Sequence, residues 1–366
     1  MVAVSFKLSL RLLFVSTSVG VLGTGQGGGV ELTIACLARE LLRRGHDVLV
    51  AAPTGSRLDG VPIVEIPGRL QVPAQSQERD APISLPPDPV LGNLWDYARS
   101  RQDKWDAIVN FAFDWLPFYL TPFFRRPIAH FISMGSTGDA LDGAMARVAE
   151  RYPGTVGVYT RTQAATFTFG DRCRILGSGI DLAQYCFNDR PEAAIAWLGR
   201  IAPEKALEDA IAAARQANVP LRVFGKLQDE AYWQRIQRDF PDAPFEYGGF
   251  LPTDRLQAEV GRCRALLMTP RWVEAFGNVA IEALACGVPV IAYQRGGPAE
   301  IVCDGKTGFL VEPDSPPGLV DAIARIDTID RSACRRQAEA EYSLPAFCDR
   351  WETWLHAVVA CQQSAL

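Results

Sequence analysis

Two carboxylates, Glu274 and Glu282, stand either side of what reads as the start of a helix, with seven residues between them. They lie in residues 269–302, TPRWVEAFGNVAIEALACGVPVIAYQRGGPAEIV. Glu274 falls in a loop, Ala275-Phe276-Gly277-Asn278 is expected as the first helical turn, and a buried strand is expected over 288–293. A helix start leaves backbone N–H groups without intrahelical acceptors and carries the positive end of the dipole, which together suit a phosphate. Carboxylates beside it accept hydrogen bonds from hydroxyls such as those of a sugar and a ribose. The segment therefore reads as a site for a sugar joined to a nucleotide diphosphate.

Residues 196–210, AWLGRIAPEKALEDA, add two cations where a strand meets a helix, Arg200 and Lys205. A cation at a helix N-terminus opposes the dipole, so Lys205 there calls for an anion. Glu204 next door is the local choice. Phosphate contacts by Arg200 and Lys205 are the functional choice, and the diphosphate reading of 269–302 favours them.

Gly23, Gly25 and Gly28 fit the G-x-G-x-x-G pattern of a dinucleotide site. Such a site also needs an acid at the end of the second strand, about 20 residues further on, to hold a ribose. That strand ends here in Val50-Ala51-Ala52-Pro53-Thr54, so a nicotinamide-dependent oxidoreductase loses its second anchor. Gly27-Gly28-Gly29, opening the helix that carries Glu31, instead allows a ligand to approach the backbone closely.

His130, in PIAHFISMGS, is expected at the carboxyl end of a buried strand, where a core role and a ligand contact both fit. Asp114, in NFAFDWLPFY, also follows a strand, either as a helix cap or as a ligand group. The rings around it, among them Phe113 and Trp115, either join the core or stack a flat acceptor. No Asp-x-Asp follows a strand and no His/Glu pair has ligand spacing, so neither a metal nor a cofactor is expected. The cations and the helix start must then stabilise a leaving diphosphate.

These residues need strands to place them. Apolar runs at 12–16, 48–52, 63–66, 107–111, 128–132 and 156–159 alternate with helical patterns such as 30–44. A second series runs 194–198, 221–224, 265–268, 288–292 and 309–311. Alternation of this kind implies α/β architecture with parallel sheets covered on both faces, and ligands at the carboxyl ends of the strands. Residues 177–192, polar and broken by Pro191, read as an interdomain linker, and 68–90 as a long irregular loop. The Trp-bearing helical stretch at 346–359 has no strand after it and must pack on something, the first domain being one surface available.

Composition bounds the rest. A chain of 366 residues is long for one core, so two domains are expected. With 37 basic against 42 acidic residues, net charge −5, nucleic acid is not an expected partner. Nine scattered cysteines without a Cys-x-x-Cys point to a reduced, cytoplasmic protein. Arg11 interrupts the apolar start, which reads as strand into loop rather than signal peptide, and no run is long enough to span a membrane.

On these residues the chain resembles the family 4 retaining glycosyltransferases of the GT-B fold, over nearly its whole length and most strongly over 198–313. The resemblance implies two Rossmann-like doubly wound domains facing across a cleft. An acceptor domain would span 1–180, with a helix at 345–362 folding back onto it, and a nucleotide-sugar domain 190–344. It implies that Glu274 binds donor-sugar hydroxyls and Glu282 the ribose, with the amides around Phe276, Gly277, Asn278 and Val279 holding sugar and diphosphate. Arg200 and Lys205 would grip the phosphates, Gly27, Gly28 and Gly29 would close from the other domain, and His130 would contact the sugar. The family needs no metal for its hexosyl transfer. Some members attach peripherally to membranes through a basic patch, which stays open for this chain. The stretches GGGVE, DWLPFYLTPFF, AHFISMGS and WVEAFGNVAIEALACG are similar to members that use UDP-glucose to glucosylate a small acceptor, a reduced pterin. Asp114, Phe113 and Trp115 would then be acceptor-binding, a carboxylate facing the amino-pyrimidine edge. Pro270-Arg271-Trp272-Val273 replaces the family's usual Pro-Ser lead-in, and Ala275 its usual Gly. The chain's particular specificity is expected there.

Overall fold

The structure, a computed structural model, describes residues 9–24, 28–72 and 79–363. They divide into two compact units, Met1–Gly177 with Phe347–Leu366, and Ser178–Ala346. Each is built on one parallel sheet.

The first sheet contains β1 (Arg11–Val15), β2 (Asp47–Pro53), β3 (Ile63–Ile66), β4 (Ala107–Asn110), β5 (Ile128–Ile132), β6 (Val156–Val158) and β7 (Arg174–Ile175), in the order β3-β2-β1-β4-β5-β6-β7. All its pairs are parallel. Strands such as AIVN and IAHFI are buried at every position, because a parallel sheet is covered on both faces and has no solvent side to alternate with. On one face Leu13 and Ile108 pack with Leu91, Leu94 and Trp95 of the helix Val90–Arg101. On the other face Phe111 stacks on Trp351 of the last helix at 5.8 Å, and Phe131 meets the same ring at 4.9 Å.

That last helix, Leu344–Gln363, starts in the second unit and belongs to the first from Phe347 onward. Polar contacts fix its register there. Arg350 Nε donates to Leu176 O (2.7 Å) and Trp354 Nε1 to Gly154 O (2.7 Å). Arg44 Nη1 reaches Asp349 Oδ1 (2.7 Å) and Glu352 Oε2 (2.6 Å). The Leu10 amide donates to His46 Nδ1 (3.1 Å), so the imidazole proton sits on Nε2 and goes to Glu352 Oε1 (2.8 Å).

The second sheet contains β8 (Ile195–Leu198), β9 (Leu221–Phe224), β10 (Phe245–Gly249), β11 (Leu266–Met268), β12 (Val290–Tyr293) and β13 (Gly308–Val311), in the order β10-β9-β8-β11-β12-β13. Counted from its own first strand, this order repeats that of the first six strands of the other sheet. In both sheets the chain direction of travel reverses beside the first strand, between β1 and β4 and between β8 and β11. Crevices at the carboxyl ends of such strand pairs are where open α/β sheets bind ligands. The sequence did not announce β7, which is two exposed residues, or β10, an edge strand ending Gly248-Gly249. Among the described residues no helix is long and apolar enough to cross a membrane.

Trp351 is fully buried and its indole N–H has no hydrogen-bond partner among the described residues. Trp351→Ala should therefore cost about 3–5 kcal/mol in urea unfolding through the cavity it leaves. Trp351→Phe should cost far less, since it keeps most of the packing and loses no hydrogen bond.

Candidate functional site

In the second unit the loops after β8 and β11 are stitched together through their backbones. Past β8 the chain passes Gly199 and Arg200, makes the short turn Pro203–Lys205, and enters the helix Leu207–Ala217 through Ala206 in the left-handed conformation (φ 46°). Past β11, Thr269 shares its hydroxyl proton between Lys205 O (2.9 Å) and Ala206 O (2.8 Å) while accepting from Trp197 Nε1 (3.1 Å). The Arg271 amide donates to Glu204 O (2.9 Å).

This stitching brings three of the expected residues together. Lys205 Nζ forms an ion pair with Glu274 Oε2, the two side chains being only 18% and 16% exposed. Trp272 Nε1 donates to the same oxygen (3.0 Å). The Trp272 ring also lies 5.2 Å from Lys205 Nζ and 5.6 Å from the Arg200 guanidinium, within cation–π range. Arg200 in turn contacts Glu204 Oε1 (2.9 Å) and Gln228 Oε1 (2.6 Å). Burial works to raise the Glu274 carboxyl pKa, but the Lys205 charge, the hydrogen bonds from Lys205 and Trp272, and Arg200 outweigh it and hold the group below the ordinary range. Glu274 is ionised, and the hydrogen bonds it accepts from the described residues fall on Oε2. The anion beside Lys205 is thus Glu274; Glu204 goes to Arg200.

The helix after Glu274 begins later than its sequence implies. It spans Asn278–Ala285, with Gly277 as a left-handed N-cap (φ 95°) and no side-chain cap. Ala275 and Phe276 stay in the loop because the turn after β12 lies against them. Gly297 N donates to Glu274 O (2.7 Å), and a side chain on Gly296 would place its Cβ 2.5 Å from Glu274 N. The Phe276 ring is buried, edge-on to Tyr342 at 6.1 Å, and is packed away from any ligand. Asn278 and Val279 are half-buried at the helix start, and Asn278 Oδ1 is a buried acceptor with no partner among the described residues. Glu282 follows one turn along, half-buried, and burial lifts its carboxyl to about 7.

Arg271 braces the loop from outside. Its guanidinium spans Glu208 Oε1 (2.7 Å) and Asp209 Oδ1 (3.0 Å), and Tyr293 OH donates to Asp209 Oδ2 (2.9 Å). Neither this brace nor the Trp272 contacts had a sequence signal beyond the unusual Arg271-Trp272 lead-in.

The remaining expected residues belong to the first unit. Gly28 and Gly29 open the helix Gly28–Arg43, while Gly25 and Gly27 lie outside the described residues. Asp114 caps the helix Trp115–Leu120 through Leu116 N (3.2 Å) and accepts from Gln71 Nε2 (3.3 Å), with burial raising its pKa. Phe113 and Trp115 are half-buried, and Trp115 stacks on Tyr119 at 4.4 Å.

His130 departs from expectation. It sits in the middle of β5, fully buried, stacked on Phe118 at 4.3 Å. Thr121 Oγ1 gives its proton to Pro117 O (2.9 Å), so His130 Nε2 must carry the proton in their 2.9 Å contact. Nδ1 then accepts from Asn110 Nδ2 (3.2 Å). Burial drives its pKa down to about 3, so the ring is neutral and both nitrogens are engaged within the unit. In this arrangement it has no nitrogen to offer a sugar. Among the described residues, no three His, Cys, Asp or Glu side chains group as metal ligands.

Comparison with known proteins fits this geometry. Residues 187–342, which hold β8 to β13 and the whole Arg200–Lys205–Glu274 cluster, match the family described as Glycosyl transferases group 1. The chain is 30% identical over 194 residues to a glycogen synthase of Mycobacterium tuberculosis, covering 49% of this chain and 45% of that one. It is 28% identical over 255 residues to D-inositol 3-phosphate glycosyltransferase 2 of Catenulispora acidiphila, covering 60% and 58%. The chain thus spans about half the length of the curated relatives it matches. Among solved structures, Anabaena HepE in complex with UDP and glucose superposes with a TM-score of 0.73 at 17% identity, covering 95% of this chain and 100% of that one. Each of the two sheets is a parallel, Rossmann-like sheet of the kind found in solved GT-B glycosyltransferase structures, and residues 187–342 match the glycosyl transferases group 1 family.

Proposed function

We propose that the protein is a retaining, metal-independent glycosyltransferase that moves glucose from UDP-glucose to a hydroxyl of a small acceptor, a pterin such as tetrahydrobiopterin. The observation that carries this reading is the cluster of Arg200, Lys205 and Glu274 at the carboxyl ends of β8 and β11, inside the matched region. HepE, which shares the fold, binds UDP and glucose. The pterin acceptor rests on the resemblance of GGGVE, DWLPFYLTPFF, AHFISMGS and WVEAFGNVAIEALACG to UDP-glucose:tetrahydrobiopterin glucosyltransferase. A different donor sugar, or a lipid or saccharide acceptor, is the alternative that the Arg271-Trp272 lead-in keeps in view.

On this reading Lys205 and Arg200 hold the diphosphate together with the amides at the Asn278 helix start. Glu274 accepts a sugar hydroxyl on Oε1, and Glu282 accepts from the ribose. Gly27 to Gly29 give the donor a backbone surface. Asp114, with Phe113 and Trp115, takes the acceptor, its carboxylate facing paired N–H donors. The bond from the anomeric carbon to the β-phosphate oxygen breaks as the bond to the acceptor oxygen forms on the same face. The acceptor proton passes to the departing phosphate oxygen, so no covalent nucleophile is invoked. His130 contributes by holding residues 110–121 in place. The nine cysteines are scattered without a Cys-x-x-Cys, which suits the cytoplasm as the place of action.

Incubation with UDP-glucose and tetrahydrobiopterin should yield UDP and a hexosylated pterin by mass spectrometry; no UDP release with any pterin, lipid or saccharide acceptor would overturn the catalytic reading. Glu274→Gln should lower kcat/KM by about 10- to 100-fold, the worth of a hydrogen bond to a charged group.

Glu282 supplies a pH test. If ribose hydroxyls donate to its carboxylate, the ionised form binds better, so UDP affinity should rise with pH through about 7. Glu282→Gln should remove that component in calorimetric titrations. The stability sign is the opposite. The folded protein keeps the Glu282 proton up to about 7, whereas the unfolded chain releases it near 4.5, so stability falls as pH rises across that window and the variant should flatten the decline.

A further inference from the structure

Trp272 carries no titratable group, yet three charged groups of the site meet on it. Its N–H binds Glu274 Oε2 (3.0 Å), and its ring lies within cation–π reach of both Lys205 and Arg200. It is half-buried and stands outside the buried core, so core packing does not account for an indole at this position. Lys205 alone would hold the Glu274 carboxylate poorly, because an ammonium on a flexible four-carbon stem is a point charge with no directional fork. The indole N–H supplies the missing direction. With Oε2 taken by both Lys205 and Trp272, the carboxylate cannot exchange its two oxygens without breaking a second bond, and Oε1 keeps a fixed orientation.

We propose that Trp272 is the positioning residue of the donor site: its N–H orients Glu274 so that Oε1 meets the sugar, and its ring holds Lys205 and Arg200 at the diphosphate. This rests on the reading of the cluster as a nucleotide-sugar site. The two halves of the role separate chemically. Phenylalanine keeps an aromatic face for the cations and loses the N–H. Leucine loses both.

The test compares wild type, Trp272→Phe and Trp272→Leu, with UDP dissociation constants from calorimetry, kcat and KM with UDP-glucose, and Tm as a check on folding. Trp272→Phe should bind UDP within about twofold of wild type while kcat falls about tenfold or more, as when an interaction made in the transition state is removed. Trp272→Leu should show the same loss of kcat and, in addition, UDP binding weaker by roughly 2- to 30-fold, the range for a cation–π contact. A merely structural indole would lower Tm and leave the two parameters unsplit. Trp272→Phe turning over within about twofold of wild type, or Trp272→Leu binding UDP as tightly as wild type, overturns the proposal and leaves the site reading intact. A wild-type protein that binds no UDP overturns both.

Discussion

Lys205 and Glu274 are an ion pair taken largely out of water, and that pairing constrains everything around it in the second unit. Either charge alone would carry a desolvation penalty of several kcal/mol, so the loops after β8 and β11 can close only together. Closing them bends the backbone into conformations the chain would otherwise avoid. Ala206 is held left-handed at φ 46°, at about 1–2 kcal/mol for a residue with a β-carbon. Thr269 donates to the Lys205 and Ala206 carbonyls, which ties that turn to the loop after β11. The corresponding bend in the other loop falls on Gly277, where the left-handed region is open without strain.

The first unit solves a similar problem without charge. The Asn110 side chain bonds the Ala112 backbone in both directions and also reaches His130 Nδ1. His130 Nε2 holds Thr121, whose hydroxyl closes on Pro117 O. One imidazole in β5 thereby pins both ends of the segment that runs from β4 through Asp114 and the helix Trp115–Leu120. A buried network with every member satisfied costs little and fixes a single geometry. The histidine does not face outward; it sets where Asp114 stands.

Sequence made the strands legible and the pairings illegible. Strands covered on both faces are continuous apolar runs, so eleven of them could be read directly, while the exposed β7 and the glycine-ended edge strand β10 carry no such run. The residue types of the site were also visible, since Glu274, Glu282, Arg200 and Lys205 all lie in or beside strand-to-helix connections. Their partners were not. Lys205 and Glu274 are 69 positions apart, and only the adjacency of β8 and β11 joins them, whereas sequence proximity pointed to Glu204. The start of the helix was misplaced for a similar reason. Local propensity would continue it through Ala275 and Phe276, and what prevents this is the backbone of Gly296 and Gly297, which arrives from the next strand. For His130 a core role and a ligand contact both fitted the sequence, because a short strand gives no hint of which of its residues lies at the end.

The charge arrangement limits how an anion can be held here. Arg200 faces Glu204, Lys205 faces Glu274, Arg271 faces Glu208 and Asp209, and Arg295 faces Asp314, so each of these cations already has an acidic partner from the chain. On the proposed reading a diphosphate therefore meets a locally balanced cluster and must share donors with the carboxylates instead of capturing idle charge. Donors are available for sharing. An ammonium has three N–H bonds and a guanidinium five, and one Lys205 contact and two Arg200 contacts leave several unused. The amides at the Asn278 helix start, with no side-chain cap over them, add donors that bring no acid along. Placing phosphate beside an ionised Glu274 still involves like-charge repulsion, which falls when hydroxyls donate to Oε1 and disperse the carboxylate charge. A bare diphosphate lacks those hydroxyls; a sugar diphosphate has them. The same carboxylate that opposes the first then favours the second, so a balanced cluster discriminates between them where a purely cationic one would not.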